Sequence, residues 1–315
     1  MNLGIMGSGN IVSAMITMFQ ATNRYHCPAL YCRSVSAERG KAIVQKNHID
    51  TLCTDPDEFL RDDRFDTVYV AVANQYHYEY VKKCLLANKH VLCEKPFTTS
   101  FTEAIELIEL ARKQGLMMAE ISRSVMTSNF GKIKAQLSEI GEVRLVSTNL
   151  SHYSRQYDAY LKGQISPVFD AQFGGALRDF GIYTLHFLIG LFGEPQTLQY
   201  HALSGFNGVD LSGVLLLKYP QFTAVNTLSK CSNGQPYCLI QGEKGYLYCN
   251  SAPMYCEKAQ LVLNQKKPTE VCGTADYNDE LCRLADLFEN REIKLLEQAM
   301  QETLICIKLI ERGKK

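Results

Sequence analysis

The chain lacks an excess of charge of either sign. Its 33 lysines and arginines balance 33 aspartates and glutamates, and no block of like charge interrupts them. That excludes the basic footprint of a nucleic-acid binder and the patch that holds a protein on an anionic membrane. A long apolar run is also missing: the longest, near Leu185 to Phe192, is too short to span a bilayer. No basic segment with an apolar stretch and a cleavage site opens the sequence. Twelve cysteines are present but no Cys-x-x-Cys pair, and Cys32, Cys84, Cys93 and Cys306 lie inside apolar runs. They read as reduced core thiols, with no metal site. Neither an internal repeat nor a low-complexity linker is found. These absences leave a soluble cytoplasmic protein whose partner is a small molecule, with no nucleic acid and no membrane among its targets. At 315 residues it exceeds what one core usually serves, so two domains are expected.

What is there begins with alternation. Asn2 to Gly7 is a short apolar strand, Gly7-Ser8-Gly9-Asn10-Ile11 a glycine turn, and Ala14 to Phe19 an apolar-periodic helix. Glycines at such a turn let backbone N–H groups approach a pyrophosphate, and the helix N-terminus adds partial positive charge. Val12 stands where the third small residue is usual, implying looser or shifted helix packing. A second strand, Ala29 to Cys32, ends in Arg33-Ser34. The carboxylate that reads an unphosphorylated ribose is missing there, and an arginine and a hydroxyl suit a 2′-phosphate instead, favouring NADP(H) over NAD(H). The strand Asp66 to Ala73 delivers Ala73, Asn74 and His77 to the same carboxyl edge, where Asn74 and His77 either meet a nicotinamide or simply start the next helix. Val91 to Phe97 is a buried strand ending on Glu94-Lys95-Pro96, at the edge where ligands of open α/β sheets bind. With a last strand at Leu116 to Ile121, residues 1–121 form a dinucleotide-binding, doubly wound parallel sheet.

After Ser122 the pattern changes. Glu142 to Tyr153 and five segments between Val214 and Leu263 alternate polar and apolar without helices between them, which describes an antiparallel sheet. Helices at Asp279 to Phe288 and Lys294 to Glu311 close the chain, so residues 122–315 read as an α+β domain for substrate and dimerisation. Gly174 to Phe192 is a helix apolar nearly all round, yet Asp179, Tyr183 and His186 fall at i, i+4 and i+7 on one face. The segment Ser151 to Gln172 mixes Tyr153, Arg155, Tyr157, Asp158, Tyr160, Asp170 and Gln172, suiting a polar substrate.

The glycine turn, the Val-Ala-Asn74-x-x-His77 strand end, Glu94-Lys95-Pro96 and Gly174-Gly175-Ala-Leu-Arg-Asp179-Phe-Gly-Ile-Tyr183 occur in one order and spacing. In this the chain resembles the Gfo/Idh/MocA oxidoreductases, which include glucose-fructose oxidoreductase, inositol dehydrogenase and dimeric dihydrodiol dehydrogenase. The resemblance implies a Rossmann domain plus a mainly antiparallel open sheet whose free face often makes a homodimer or a dimer of dimers. It also implies hydride transfer between NAD(P) and a secondary alcohol or carbonyl of a sugar, polyol or dihydrodiol. Lys95 matches the catalytic lysine, Tyr183 the acid/base of the tyrosine branch, and a cis Lys95–Pro96 bond is expected. Asp179 would orient the pair or bind a substrate hydroxyl. Gly7, Gly9, Asn10, Ile11, Arg33, Ser34, Ala73, Asn74, His77, Glu94 and Lys95 form the expected cofactor site. The rival readings are a non-catalytic dinucleotide sensor of the same fold and a biliverdin-reductase-like enzyme.

Overall fold

The computed structural model describes residues 1–122 and 125–314. The chain divides into two compact units, Met1–Ile121 with Tyr277–Leu304, and Ser122–Asp276 with Ile305–Lys315. The sequence reading ran its second domain unbroken from 122 to 315; here one stretch of it belongs to the first unit.

In the first unit, strands and helices alternate: β1 (Leu3–Met6), α1 (Asn10–Ala21), β2 (Ala29–Tyr31), α2 (Ala37–Asn47), β3 (Thr51–Cys53), α3 (Pro56–Leu60), β4 (Thr67–Val70), α4 (His77–Leu86), β5 (His90–Glu94), α5 (Phe101–Gln114) and β6 (Met118–Ile121). The sheet runs β3-β2-β1-β4-β5-β6 with every pair parallel. Its central strands are continuous apolar runs because helices cover both faces; Leu3, Ile5, Met6, Val68, Val70, Val91 and Leu92 have no exposed surface. The chain leaves β1 in one direction and returns to β4 on the other side, which opens a crevice at the carboxyl ends of those two strands. Helix α1 buries Val12, Met15, Ile16 and Phe19, and the Phe19 ring meets Tyr69 of β4 edge-on at 5.1 Å. Val12 is accommodated with no exposed surface. From the far end of the sequence, α9 (Asp279–Glu289) joins this core: the Tyr25 hydroxyl donates to the Leu281 carbonyl at 2.7 Å, and Arg24 pairs with Asp286 and Glu289.

The second unit holds an eight-stranded sheet. Its elements are α6 (Ser128–Ala135), β7 (Val143–Ser151), α7 (Tyr157–Leu161), α8 (Ile182–Phe192), β8 (Thr197–Ser204), β9 (Asp210–Lys218), β10 (Thr223–Ser229), β11 (Tyr237–Gly242), β12 (Gly245–Cys249), β13 (Ala259–Leu263) and β14 (Thr269–Cys272). The strand order is β14-β13-β12-β11-β7-β10-β9-β8. All pairs are antiparallel except β7 with β10. Helices and two strands intervene between β7 and β10, and that length of chain permits a parallel return. One face is a core: Val146, Leu150, Leu215, Leu217, Ala224, Leu228 and Ile240 pack with Phe130 and Ile133 of α6 and Leu185 and Leu188 of α8. The last helix, α10 (Ile293–Gly313), begins in the first unit and adds Leu309 and Ile310 to this core. Among the described residues no helix is long and apolar enough to cross a membrane.

Candidate active site

Because β1, β4 and β5 are parallel neighbours, Gly7, Asn74 and Lys95 all follow strands at the same carboxyl edge of one sheet. Gly7 has φ +134°, and a Cβ there would overlap the Ala71 carbonyl oxygen at the end of β4. Glycine is needed for the turn and for the close approach alike. Gly9 caps α1 with no side-chain hydrogen bond to the first helical N–H groups, and Ile11 beside it is 40% exposed. A helix N-terminus not closed by a side chain, beside a glycine-lined crevice, fits a dinucleotide diphosphate. Arg33 and Ser34 are exposed at the end of β2, and the Arg33 guanidinium lies 5.4 Å from the centre of the Tyr76 ring. Tyr76 belongs to the 3-10 turn Asn74–Tyr76, which starts just after Ala73.

The turn carrying Lys95 is braced on both sides. The Lys95–Pro96 bond is cis. His77, wholly buried, places Nδ1 2.8 Å from the Pro96 carbonyl oxygen and Nε2 3.1 Å from that of Val72. It therefore ties the end of β4 to the turn after β5, and its ring nitrogens face main chain. Burial pulls its pKa below the ordinary imidazole value, although both carbonyls favour the proton. From the other side, Glu120 of β6, 5% exposed, accepts from the Phe97 N–H at 2.7 Å and the Thr303 hydroxyl at 3.0 Å. Glu94 accepts from the buried Tyr69 hydroxyl at 2.6 Å. Glu120 and Tyr69 were missed by the sequence reading, since each sits in a strand that reads as core.

In the second unit the helical segment that carries Asp179 and Tyr183 starts differently from expectation. Leu177–Gly181 is a π-helical turn that runs into α8. Such a turn inserts a residue into the α phase and recurs at functional sites. Asp179, Phe180 and Tyr183 are half-buried, whereas Arg178, Thr184 and His186 are buried, so of the three polar residues expected on one face Asp179 and Tyr183 keep exposed surface and His186 does not. The Gly174-Gly175 pair has a packing cause. Gly175 has φ +95°, and a Cβ there would strike Oδ1 of Asp210. That carboxylate, 7% exposed, accepts from the Leu177 N–H at 2.6 Å and the Tyr200 hydroxyl at 2.9 Å, which caps the helical start from β9. Asp179 is ion-paired with Lys230, a residue the sequence reading did not single out. Lys230 is 1% exposed, and its ammonium lies 4.5 Å from the Phe180 ring centre and 5.5 Å from that of Phe169. Within the segment expected to face substrate, Tyr160 is buried, stacked on Phe169 and Phe206 and hydrogen-bonded to Asn207. Asp170 caps its own loop at Gln172 and Phe173. Tyr153 donates to Asp158.

A parallel sheet of this order, with a glycine turn at its switch point and a braced lysine turn at a neighbouring strand end, defines a dinucleotide-binding unit of the Rossmann class. Residues 1–121 match the oxidoreductase family with an NAD-binding Rossmann fold, and residues 133–248 match the GFO/IDH/MocA C-terminal domain. The scyllo-inositol 2-dehydrogenase (NADP(+)) IolU of Bacillus subtilis is 32% identical over 242 residues, 76% of this chain and 73% of that protein. The trans-1,2-dihydrobenzene-1,2-diol dehydrogenase of Macaca fuscata fuscata is 29% identical over 283 residues, 84% and 78% of the two chains. Among solved structures, the 3-ketoreductase KijD10 of Actinomadura kijaniata with NADP and TDP-benzene superposes with a TM-score of 0.83 at 21% identity, covering 99% of this chain and 96% of that one. The chain belongs to the Gfo/Idh/MocA oxidoreductase family.

Proposed function

We propose that this protein is an NADP(H)-preferring oxidoreductase that moves a hydride between the nicotinamide and a secondary alcohol or carbonyl of a small polyhydroxylated ring, such as an inositol, a sugar or a dihydrodiol. The observation that carries the reading is the common carboxyl edge of the parallel sheet, where the glycine crevice and the braced Lys95 turn are set by neighbouring strands. Gly7, Gly9, Asn10 and Ile11 would hold the diphosphate, Arg33 and Ser34 the 2′-phosphate, and Ala73, Asn74, Glu94 and Lys95 the nicotinamide side. His77 serves that site by fixing the two loops it bridges. The bound nicotinamide supplies the hydride acceptor or donor.

The chain's own residues handle the proton and the orientation. Tyr183 takes the hydroxyl proton in oxidation and returns it in reduction. A phenol with its ordinary pKa near 10 is a poor base at neutrality, and an ammonium, the part the family resemblance gives Lys95, would stabilise the phenolate. Asp179 accepts a hydrogen bond from a substrate hydroxyl. The free face of the second sheet, with Leu216, Val225, Leu239 and Tyr248 in one cross-strand row, suits a homodimer interface. Twelve free cysteines suit the reducing cytoplasm. The test is a panel of inositols, sugars and diols with NADP+ and NAD+, followed by absorbance of the reduced nicotinamide. Saturable reduction of NADP+ by a member of the panel is expected. Cofactor binding with no turnover of any member would favour the sensor and sink the enzyme.

A further inference from the structure

Lys230 cannot touch a substrate, yet it is held where it governs a residue that can. Its main chain is fixed on both sides, the N–H donating to the Leu211 carbonyl at 2.8 Å and the carbonyl accepting from Ser154 N–H at 2.9 Å. That sends the side chain inward from the end of β10, between the rings of Phe169 and Phe180, onto Oδ2 of Asp179. The Lys230 side chain is 2% exposed and the Asp179 side chain 23%, so one partner is sealed while the other, four residues before Tyr183 in the same helical segment, keeps exposed surface. We propose that Lys230 is a positioning residue of the reaction: it orients the Asp179 carboxylate and offsets its charge, so that Asp179 accepts a substrate hydroxyl without opposing the phenolate of Tyr183.

The physical case rests on two opposing effects. A bare carboxylate near a phenol disfavours its ionised form, which would undo what a lysine does for a tyrosine base. An ammonium in direct contact, in surroundings made apolar by two phenyl rings, interacts with that carboxylate far more strongly than water would allow. The pair is then close to neutral as seen from Tyr183 and still offers carboxylate oxygen as acceptor. A lysine placed only to fill the core would be a poor choice, because replacing a buried ion pair by apolar groups is often neutral or stabilising.

This inference rests on the reading that Asp179 and Tyr183 serve hydride transfer. The test is a cycle of Asp179→Asn, Lys230→Met and the double variant, assayed with NADP+ and scyllo-inositol, or whichever panel alcohol the wild type oxidises. Lys230→Met keeps chain length and removes the charge. It is expected to lower kcat/KM for the alcohol by about 10- to 100-fold, the scale of a misplaced reacting group, while the affinity for NADP(H) stays unmoved. The double variant is expected to be no slower than Asp179→Asn alone, because Lys230 acts only through that carboxylate. If Lys230→Met does not fold, the double variant, which removes both charges together, is compared with Asp179→Asn instead: equal rates support the assignment, and a further tenfold fall overturns it. A Lys230→Met enzyme that melts earlier but turns over normally when folded makes Lys230 merely structural. A wild type that transfers hydride to no panel member removes the underlying reading, and Lys230's role with it.

Discussion

Tyr183 offers the most economical test of the proposed proton transfer, since Tyr183→Phe deletes one hydroxyl and little volume. Turnover is expected to fall about 10²- to 10⁴-fold, the usual contribution of a positioned general acid or base, with NADP(H) affinity unchanged. Lys95→Met should cost at least as much, and steady-state rates beside cofactor titrations check both. At the end of β2, Arg33→Ala is expected to erase most of the preference for NADP(H); a ratio of NADP(H) to NAD(H) affinity left intact would remove Arg33 from the site. His77 carries a pH dependence whose sign can be worked out. Burial keeps its folded pKa below the ordinary value, while the unfolded imidazole takes a proton near pH 6.5. Above that pH neither state is protonated and the group is silent. Below it the unfolded chain binds the extra proton, so stability falls by up to about 1.4 kcal/mol per pH unit until the folded pKa is reached. His90, lowered first by burial and then by Arg291, acts in the same direction. Denaturant melts between about pH 7.5 and pH 5.5 should show the decline, and His77→Gln should flatten it; equal slopes in both proteins would contradict the assignment.

Among elements, those legible in the sequence were the ones whose burial leaves a pattern. Each strand from β1 to β6 is short and punctuated by glycine, proline or a capping residue, and the central ones are mostly apolar. Asp55, for example, caps α3 by accepting from Asp57 N–H and Glu58 N–H, with Pro56 at the first helical position. Strands at the edges of the second sheet left no such trace. Thr197–Ser204 (β8) has one side exposed and the other only half-covered, and Thr269–Cys272 (β14) is mostly exposed, so neither gave clear alternation. The π-helical turn at Leu177–Gly181 was invisible because it depends on a backbone bond pattern, not on side-chain type. Lys230 was hidden for a related reason: its burial comes from Phe169, Phe180 and Asp179, all distant in sequence. The glycine pair was recognised as a motif, whereas its cause, the Asp210 cap, lies in β9. Gly175→Ala would force a side chain into that carboxylate at φ +95° and is expected to cost about 2–3 kcal/mol of stability. A melting temperature equal to that of the wild type would refute the packing argument.

Across the whole molecule, composition pointed to a small-molecule partner, and motif order supplied the family. What composition could not show was the return of Tyr277–Leu304 to the first unit. Helix α9 has an amphipathic pattern, but a pattern names a face and not the core that receives it. The free face of the second sheet belongs to the same scale. Leu145 at 39%, Val214 at 36% and Tyr246 at 40% exposure accompany the cross-strand row Leu216–Val225–Ser147–Leu239–Tyr248. A homodimer buried through that face is expected, and sedimentation at micromolar concentration showing only a monomer-sized species would count against it. The central claim is hydride transfer itself, and isotope tracking tests it most directly. An alcohol substrate carrying deuterium on its carbinol carbon is incubated with NADP+, and the reduced cofactor is analysed by mass spectrometry and NMR. The expected result is deuterium from the substrate on C4 of the nicotinamide, with none acquired from heavy-water solvent when the unlabelled alcohol is used. Reduced cofactor that carries no substrate deuterium, or none formed with any alcohol that binds, would contradict the account.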